Sequence, residues 1–136
     1  MLPGFADYCQ FIAELPSQYS SIQSSTLTAY TIGPHVAEVE GQVAFAQGYA
    51  LDVWELLDLA NHAIRSYSYA VDRFGTRVWW YASQSHPDNP LLAATDPHHK
   101  HIHPDIKHHR VPAPEISFER PNLPFLIQEI EQLLAA

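Results

Sequence analysis

A run of strand-like segments across residues 26–83 constrains the fold of this chain more than any other feature. Within it, Val39, Val43 and Phe45 alternate with polar residues, so they would share one face of a strand. Gly48 then offers a turn, and the later segments are joined by connections that are equally short. Short connections join antiparallel neighbours, whereas parallel neighbours need a long crossover. The run therefore predicts an antiparallel meander of about five strands.

Helical periodicity brackets this meander on both sides. In residues 1–16, apolar side chains recur on one helical face, and Pro16 is expected to end the helix. Residues 122–135 show the same periodicity after Asn122, a residue that favours the N-cap position. The predicted fold class is α+β, with one antiparallel sheet flanked by an N-terminal and a C-terminal helix in a single domain, residues 1–136.

Three stretches have less definite patterns. Residues 17–25 are polar, and we interpret them as a linker to a first strand over residues 26–32. Residues 56–64 fit either a strand or a helix. Residues 84–119 hold most of the prolines and predict a long His/Pro-rich loop. A loop of that length inside a compact domain usually carries function.

Composition limits the classes of function. Hydrophobic residues make up 46% of the chain and charged residues 16%, which is typical of a globular domain. The formal net charge of −8 argues against a protein that coats nucleic acid, but it allows a local basic groove. Cys9 is the only cysteine, which excludes an internal disulfide. Every apolar stretch is much shorter than the ~20 residues of a membrane span. We therefore expect a cytoplasmic protein without membrane contact.

A histidine-rich segment, HHKHIHPDIKHHR at residues 98–110, stands out from this acidic background. It holds six of the nine histidines, and Lys100, Lys107 and Arg110 against Asp105 give it a net charge of 3 − 1 = +2. Such a local reversal of sign favours the binding of an anion or an acidic partner. A solvated loop without function is the plain alternative.

Two chemistries are compatible with this segment. If it is extended, His99, His101 and His103 lie on one face and Lys100 on the other. The three imidazoles are then candidate ligands for a divalent transition metal. They equally suit metal-free phosphodiester cleavage, with one histidine as base, another as acid, and Lys or Arg stabilising the charged transition state.

Two residues outside the segment are further candidates. Glu55 falls among apolar neighbours, so it lies either at an exposed strand edge or in the core with a partner. In the core, it could orient a histidine ring. His86 belongs to a turn-like SHPDNP sequence and becomes a site residue only if the fold brings it to His99 or His101.

The order of several short motifs resembles that of the TumE toxin family of bacterial toxin–antitoxin systems. The resemblance extends over roughly residues 35–110, and its most specific element is P-H-H-K-H. The segments that carry it are Val53-Trp54-Glu55, Tyr67-Ser68-Tyr69, Trp80-Tyr81, His86-Pro87 and Pro97-His98-His99-Lys100-His101. The sequence after residue 105 is similar to a cyanobacterial branch of the same family.

The resemblance implies a toxin that a cognate antitoxin neutralises by direct contact, with RNA cleavage as the expected activity by analogy with other small toxins. The working residues carried over are Glu55, His86, His99, Lys100 and His101. In this scheme His99 and His101 exchange protons, Lys100 binds phosphate, and Glu55 orients an imidazole. The expected partners are the antitoxin and an RNA substrate, with a homodimer as an open alternative and no cofactor required.

One departure from the family pattern bears on activity. Where the family has R-Y-D-N, this chain has Trp80-Tyr81-Ala82-Ser83, so both the Arg and the Asp are missing. The resemblance therefore also implies that this copy is attenuated, if the Asp orients a histidine. The alternative function is a non-catalytic His-rich domain that binds a metal or a protein partner.

Overall fold

The computed structural model of this chain describes residues 1–84 and 88–136, and in them two helices flank one large sheet. The helices are α1 (Phe5–Gln18) and α2 (Leu123–Ala135), and 3-10 turns lie at Ala46–Gly48 and Pro90–Thr95. The strands are β1 (Ile22–Ser25), β2 (Thr28–Thr31), β3 (Val36–Phe45), β4 (Tyr49–Asp58), β5 (Ala63–Arg73), β6 (Thr76–Ala82), β7 (His99–His101) and β8 (Arg110–Pro112). The predicted α+β class is confirmed.

The sheet is antiparallel at every described strand pair. Both β1 and β2 pair with β3, and from β3 to β8 each strand pairs with the next one along the chain. The sequence pattern predicted the central meander, but about five strands was too few: the described residues form eight. Sequential pairing places the histidine-rich segment at one end of the sheet, beside β6.

Both helices cover the same face of the sheet. In β3 and β4, the odd-numbered residues Val39, Val43, Leu51 and Val53 are almost fully buried, as the alternation predicts. They join one hydrophobic cluster with residues of α1 and α2. The opposite face carries the even-numbered residues, which are mostly polar or only half-buried. No helix in the described part of the chain is long and apolar enough to cross a membrane.

The three additional strands are β1, β7 and β8, and their side chains do not show the alternation of apolar and polar residues that is typical of a half-buried strand. The interpretation of residues 17–25 as a linker is wrong in part, because β1 pairs there with β3 and Ile22 is its one buried residue. The first predicted strand shortens to β2. Residues 84–119 are likewise not one long loop, since they contain β7 and β8. Backbone pairing, which does not depend on side-chain polarity, forms these strands.

One local expectation is wrong, an open alternative is decided, and one prediction holds for position only. Pro16 does not end α1, which continues to Gln18 because the N–H of Tyr19 can still donate to the Leu15 carbonyl at 2.9 Å. Residues 56–64 are not helical: β4 runs to Asp58 and a turn follows. Asn122 is the N-cap residue of α2, as predicted, but its side chain makes no cap hydrogen bond, because its Oδ1 accepts from the Ser117 N–H at 2.9 Å instead.

A buried carboxylate ties the two helices to the sheet. Glu55 is fully buried, and its Oε1 and Oε2 accept hydrogen bonds from the Tyr8 and Tyr69 hydroxyls at 2.7 and 2.5 Å. The Asn122 amide in turn donates to the Tyr69 oxygen at 3.1 Å and to the Ser117 carbonyl at 2.8 Å. Burial raises the pKa of Glu55, and the two tyrosines offset part of that rise. Of the two sequence interpretations of Glu55, the structure confirms the buried one.

We expect a Glu55→Gln variant to gain stability over the parent as the pH rises. The unfolded carboxyl loses its proton near its ordinary pKa of 4.5, whereas the folded one keeps it to higher pH. The folded state therefore binds more protons in that window, and the parent loses stability there. The measurement is the Tm of both proteins from pH 4 to 7.

The Glu14→Gln variant removes an exposed carboxylate from α1 and controls for the change in net charge. A Tm difference between parent and Glu55→Gln that stays constant across the whole range would contradict a raised pKa at Glu55.

Candidate active site

Strand β7 divides the P-H-H-K-H motif between the two faces of the sheet. It lies between β6 and β8, where Lys100 is opposite Tyr81 and His101 is opposite Trp80. Directly opposed residues in a sheet share a face, and successive residues alternate between faces. Tyr81 is in turn opposite Tyr69, which bonds Glu55. Lys100 and Glu55 therefore lie on the helix-covered face, and His99 and His101 lie on the other.

Lys100 is held on the helix-covered face by α2. Its Nζ is 3.1 Å from Oε2 of Glu129, and Tyr81 donates to the same carboxylate at 2.9 Å. The ammonium also lies 4.1 Å from the centroid of the Trp79 ring, a cation–π contact. The family motif's lysine thus fixes β7 to α2, on the side of the sheet away from the two histidines.

His99 and His101 line a pocket on the opposite face. The pocket has a volume of about 310 Å³; besides the two histidines of β7, strand β6 contributes Trp80 and Ala82 to it, and β8 contributes Arg110. The two imidazoles are only 2% and 6% exposed, and they meet edge to face with ring centroids 4.9 Å apart. Leu92, Gln84, Lys107 and His108 complete the lining. This site combines two close imidazoles with a cationic rim.

Hydrogen bonds define the tautomers of the two rings. Nδ1 of His99 is 3.2 Å from the Pro97 carbonyl, and Nδ1 of His101 is 2.9 Å from the Ile106 carbonyl. A carbonyl only accepts, so each Nδ1 carries a proton, and in the neutral ring Nε2 is then the basic nitrogen. Burial, together with the nearby Arg110 and His101, lowers the pKa of His99 to about 4. His99 is therefore a neutral base at pH 7.

The five carried-over residues do not form one cluster. Glu55 and Lys100 bond residues of the helix-covered face, so the hypothesis that Glu55 orients an imidazole of the pocket does not fit this arrangement. His86 lies outside the described residues. Strand β7 ends at His101, and the Nε2 atom of His103 is 2.9 Å from the Arg77 carbonyl. Among the described residues, no three His, Cys, Asp or Glu side chains are arranged to hold a metal ion.

Sequence reasoning missed the pocket's other members. Trp80 stacks on His101 with centroids 4.1 Å apart and an interplanar angle of 12°. Arg110 contributes a guanidinium that is 7% exposed. The sequence indicates Arg110 only as one charge of the histidine-rich segment. The alternation of β6 and β8 would have placed both beside His101, but β8 is too short to be recognised from its sequence.

The fold and pocket define a small α+β protein with a histidine-lined site at one end of an antiparallel sheet. A family profile described as Toxin TumE matches residues 11–134. The chain therefore belongs to the TumE toxin family, as the motif order indicated. Neither a search of curated proteins nor a search of solved structures finds a match.

We expect Lys100 and Glu129 to be energetically coupled. Their side chains are 20% and 15% exposed, so the pair is partly shielded from solvent. In a double-mutant cycle with Lys100→Met and Glu129→Gln, the coupling should be about 1 kcal/mol from urea unfolding. A coupling below about 0.3 kcal/mol, which is within the usual error of additivity, would show that the contact does not hold β7.

We expect the His99 ring to stay neutral well below pH 6. Its pKa of about 4 means that its ring nitrogens should titrate near that pH, which ¹⁵N-edited NMR of the imidazoles measures directly. A His99→Gln variant assigns the signal. Titration of that signal near 6.5 would show that the ring is hydrated rather than buried.

Proposed function

We propose that this chain is the toxin of a bacterial toxin–antitoxin system and that it cleaves RNA in the pocket at His99 and His101. The observation that carries the proposal is the pair of adjacent buried imidazoles, each of which donates its Nδ1–H to a backbone carbonyl. Membership of a toxin family supports the biological role. The proposal includes a cytoplasmic location and an antitoxin that binds the toxin directly. The homodimer stays a prediction.

The chemistry follows from the protonation of the two rings. Neutral His99 takes the proton of a ribose 2′-hydroxyl at Nε2, and the 2′-oxygen attacks the adjacent phosphorus. The P–O5′ bond breaks, and His101, which in this scheme enters as an imidazolium with a proton on each ring nitrogen, gives its Nε2 proton to the leaving 5′-oxygen. The products are a 2′,3′-cyclic phosphate and a 5′-hydroxyl end. The Trp80 face stacked on His101 attracts a cation, which suits a ring that must carry the proton.

The departures from the family pattern fall inside this pocket. Position 80 is opposite His101 and position 82 is opposite His99, so both lie on the face with the two histidines. Trp80 and Ala82 replace the Arg and the Asp that the resemblance implies there. Loss of these charges is the basis for proposing that the activity is attenuated.

The test is induced expression of the parent and of a His101→Asn variant in a bacterial host. Asparagine keeps an amide N–H for the Ile106 carbonyl but has no atom at the Nε2 position. We expect the parent to arrest growth and to produce RNA fragments with 5′-hydroxyl ends. The variant should cleave purified RNA at least 100-fold more slowly, the usual loss for one general acid. The exposed His35→Asn variant is the matched control.

Other outcomes separate the alternatives. Growth arrest without 5′-hydroxyl ends would keep the toxin and discard the ribonuclease. Cleavage that EDTA abolishes would replace the metal-free scheme by a metal-dependent one. Normal growth with the parent, together with arrest by Ala82→Asp, would identify an attenuated copy. Normal growth with both would favour the non-catalytic binding domain.

A further inference from the structure

A buried guanidinium lies in the pocket with its hydrogen-bonding capacity only partly used. Arg110 is 7% exposed, and its Nη2 donates to Oδ1 of Asp96 at 3.2 Å. Its Nε is buried from solvent and finds no acceptor among the described residues. An unsatisfied buried donor on a charged group costs free energy, and Arg offers five donors in a planar fork. Among the described residues, no acceptor meets this N–H.

The position of Arg110 defines where that acceptor would lie. On β8, Arg110 is directly opposite His101, so the guanidinium and both imidazoles share one face of the sheet. Lys107 and His108 line the rim of the same pocket. A cationic fork beside proton-exchanging groups suits the oxygens of a phosphate, which accept two parallel N–H bonds.

We propose that Arg110 is the phosphate-binding residue of this pocket, and that it receives one phosphodiester of a single-stranded RNA. The proposal rests on the proposed function and deepens it, because it moves phosphate binding from Lys100 to Arg110. Lys100 is on the other face of the sheet and is paired with Glu129. Asp96 positions the guanidinium through the N–H of Nη2, and Arg110 borders the pocket, where its remaining N–H groups would meet the ligand.

The depth and size of the pocket select the single-stranded form. Its volume of about 310 Å³ is at the lower limit of small-ligand sites and admits about one nucleotide. His99 and His101 are nearly inaccessible on its floor. A duplex presents its phosphates on a wide, stiff cylinder, so only an unpaired strand can bend one phosphate down to the floor.

The experiment measures the salt dependence of RNA binding. The probe is a labelled 2′-O-methyl single-stranded RNA, which this chemistry cannot cleave because the 2′-oxygen is blocked. Its binding is measured by fluorescence anisotropy at salt concentrations of about 50 to 200 mM, where the effect of counterion release on affinity is large. We expect Arg110→Gln to weaken binding about tenfold or more. It should also flatten the slope of log K against log salt by about 0.7, the contribution of one phosphate contact on a single strand.

Two further variants make the result specific. Arg110→Lys keeps the charge but not the fork, so it should restore the salt slope and not the full affinity. It also serves if Arg110→Gln does not fold. Arg65→Gln removes an exposed arginine that pairs with Asp58 and does not line the pocket, and this variant should bind as the parent does.

The outcomes separate this proposal from the ribonuclease proposal. Unchanged affinity and slope in folded Arg110→Gln, or no binding by the parent at low salt, would overturn the phosphate site and leave Arg110 as a structural partner of Asp96. Binding that depends on Arg110, without cleavage of unmodified RNA, would keep the site and reject the ribonuclease. An RNA cleavage rate that is the same in the parent and in Arg110→Gln would keep the ribonuclease proposal and reject this phosphate site.

Discussion

The pairing of β7 between β6 and β8 is the constraint on which the arrangement of the site depends. Backbone hydrogen bonds on both edges fix the alternation of a three-residue strand, so His99 and His101 must lie on the opposite face from Lys100. A shift of one residue in this register would exchange the two faces and bury an imidazole pair against α2. The Lys100–Glu129 ion pair opposes that shift, because it holds the lysine on the helix side.

The polar side chains on the two faces of the sheet consequently have different roles. On the covered face, the polar groups serve stability: Glu55, Tyr8 and Tyr69 satisfy one another inside a hydrophobic cluster and link α1 to β4 and β5. On the opposite face, the polar groups surround a pocket. Both sets contain residues of the family motifs, so membership of a motif does not by itself assign a residue to catalysis.

The sequence predicted best where burial follows a regular period. Val39, Val43 and Phe45 alternate because one face of β3 is in the core, and this periodicity is visible without the structure. Strand β7 shows no such pattern, since its residues His99, Lys100 and His101 are polar on both faces. The partner of Glu55 was also beyond sequence reasoning, because Tyr8 is 47 residues away and only the packing of α1 on the sheet brings them together.

An Asp at position 82, which the resemblance implies for the family, would affect the charge of the pocket more than its geometry. A carboxylate beside an imidazole both orients the ring and favours its protonated form. In this chain the Pro97 carbonyl orients His99, which is opposite position 82, and the Ile106 carbonyl and the Trp80 face orient His101, so backbone carbonyls contribute to the orientation of both rings. A neutral carbonyl adds no full negative charge, and the positive Arg110 nearby further lowers the pKa of His99. His99 is thus biased towards the neutral form, and a phosphate that neutralises Arg110 would remove part of that bias as it binds.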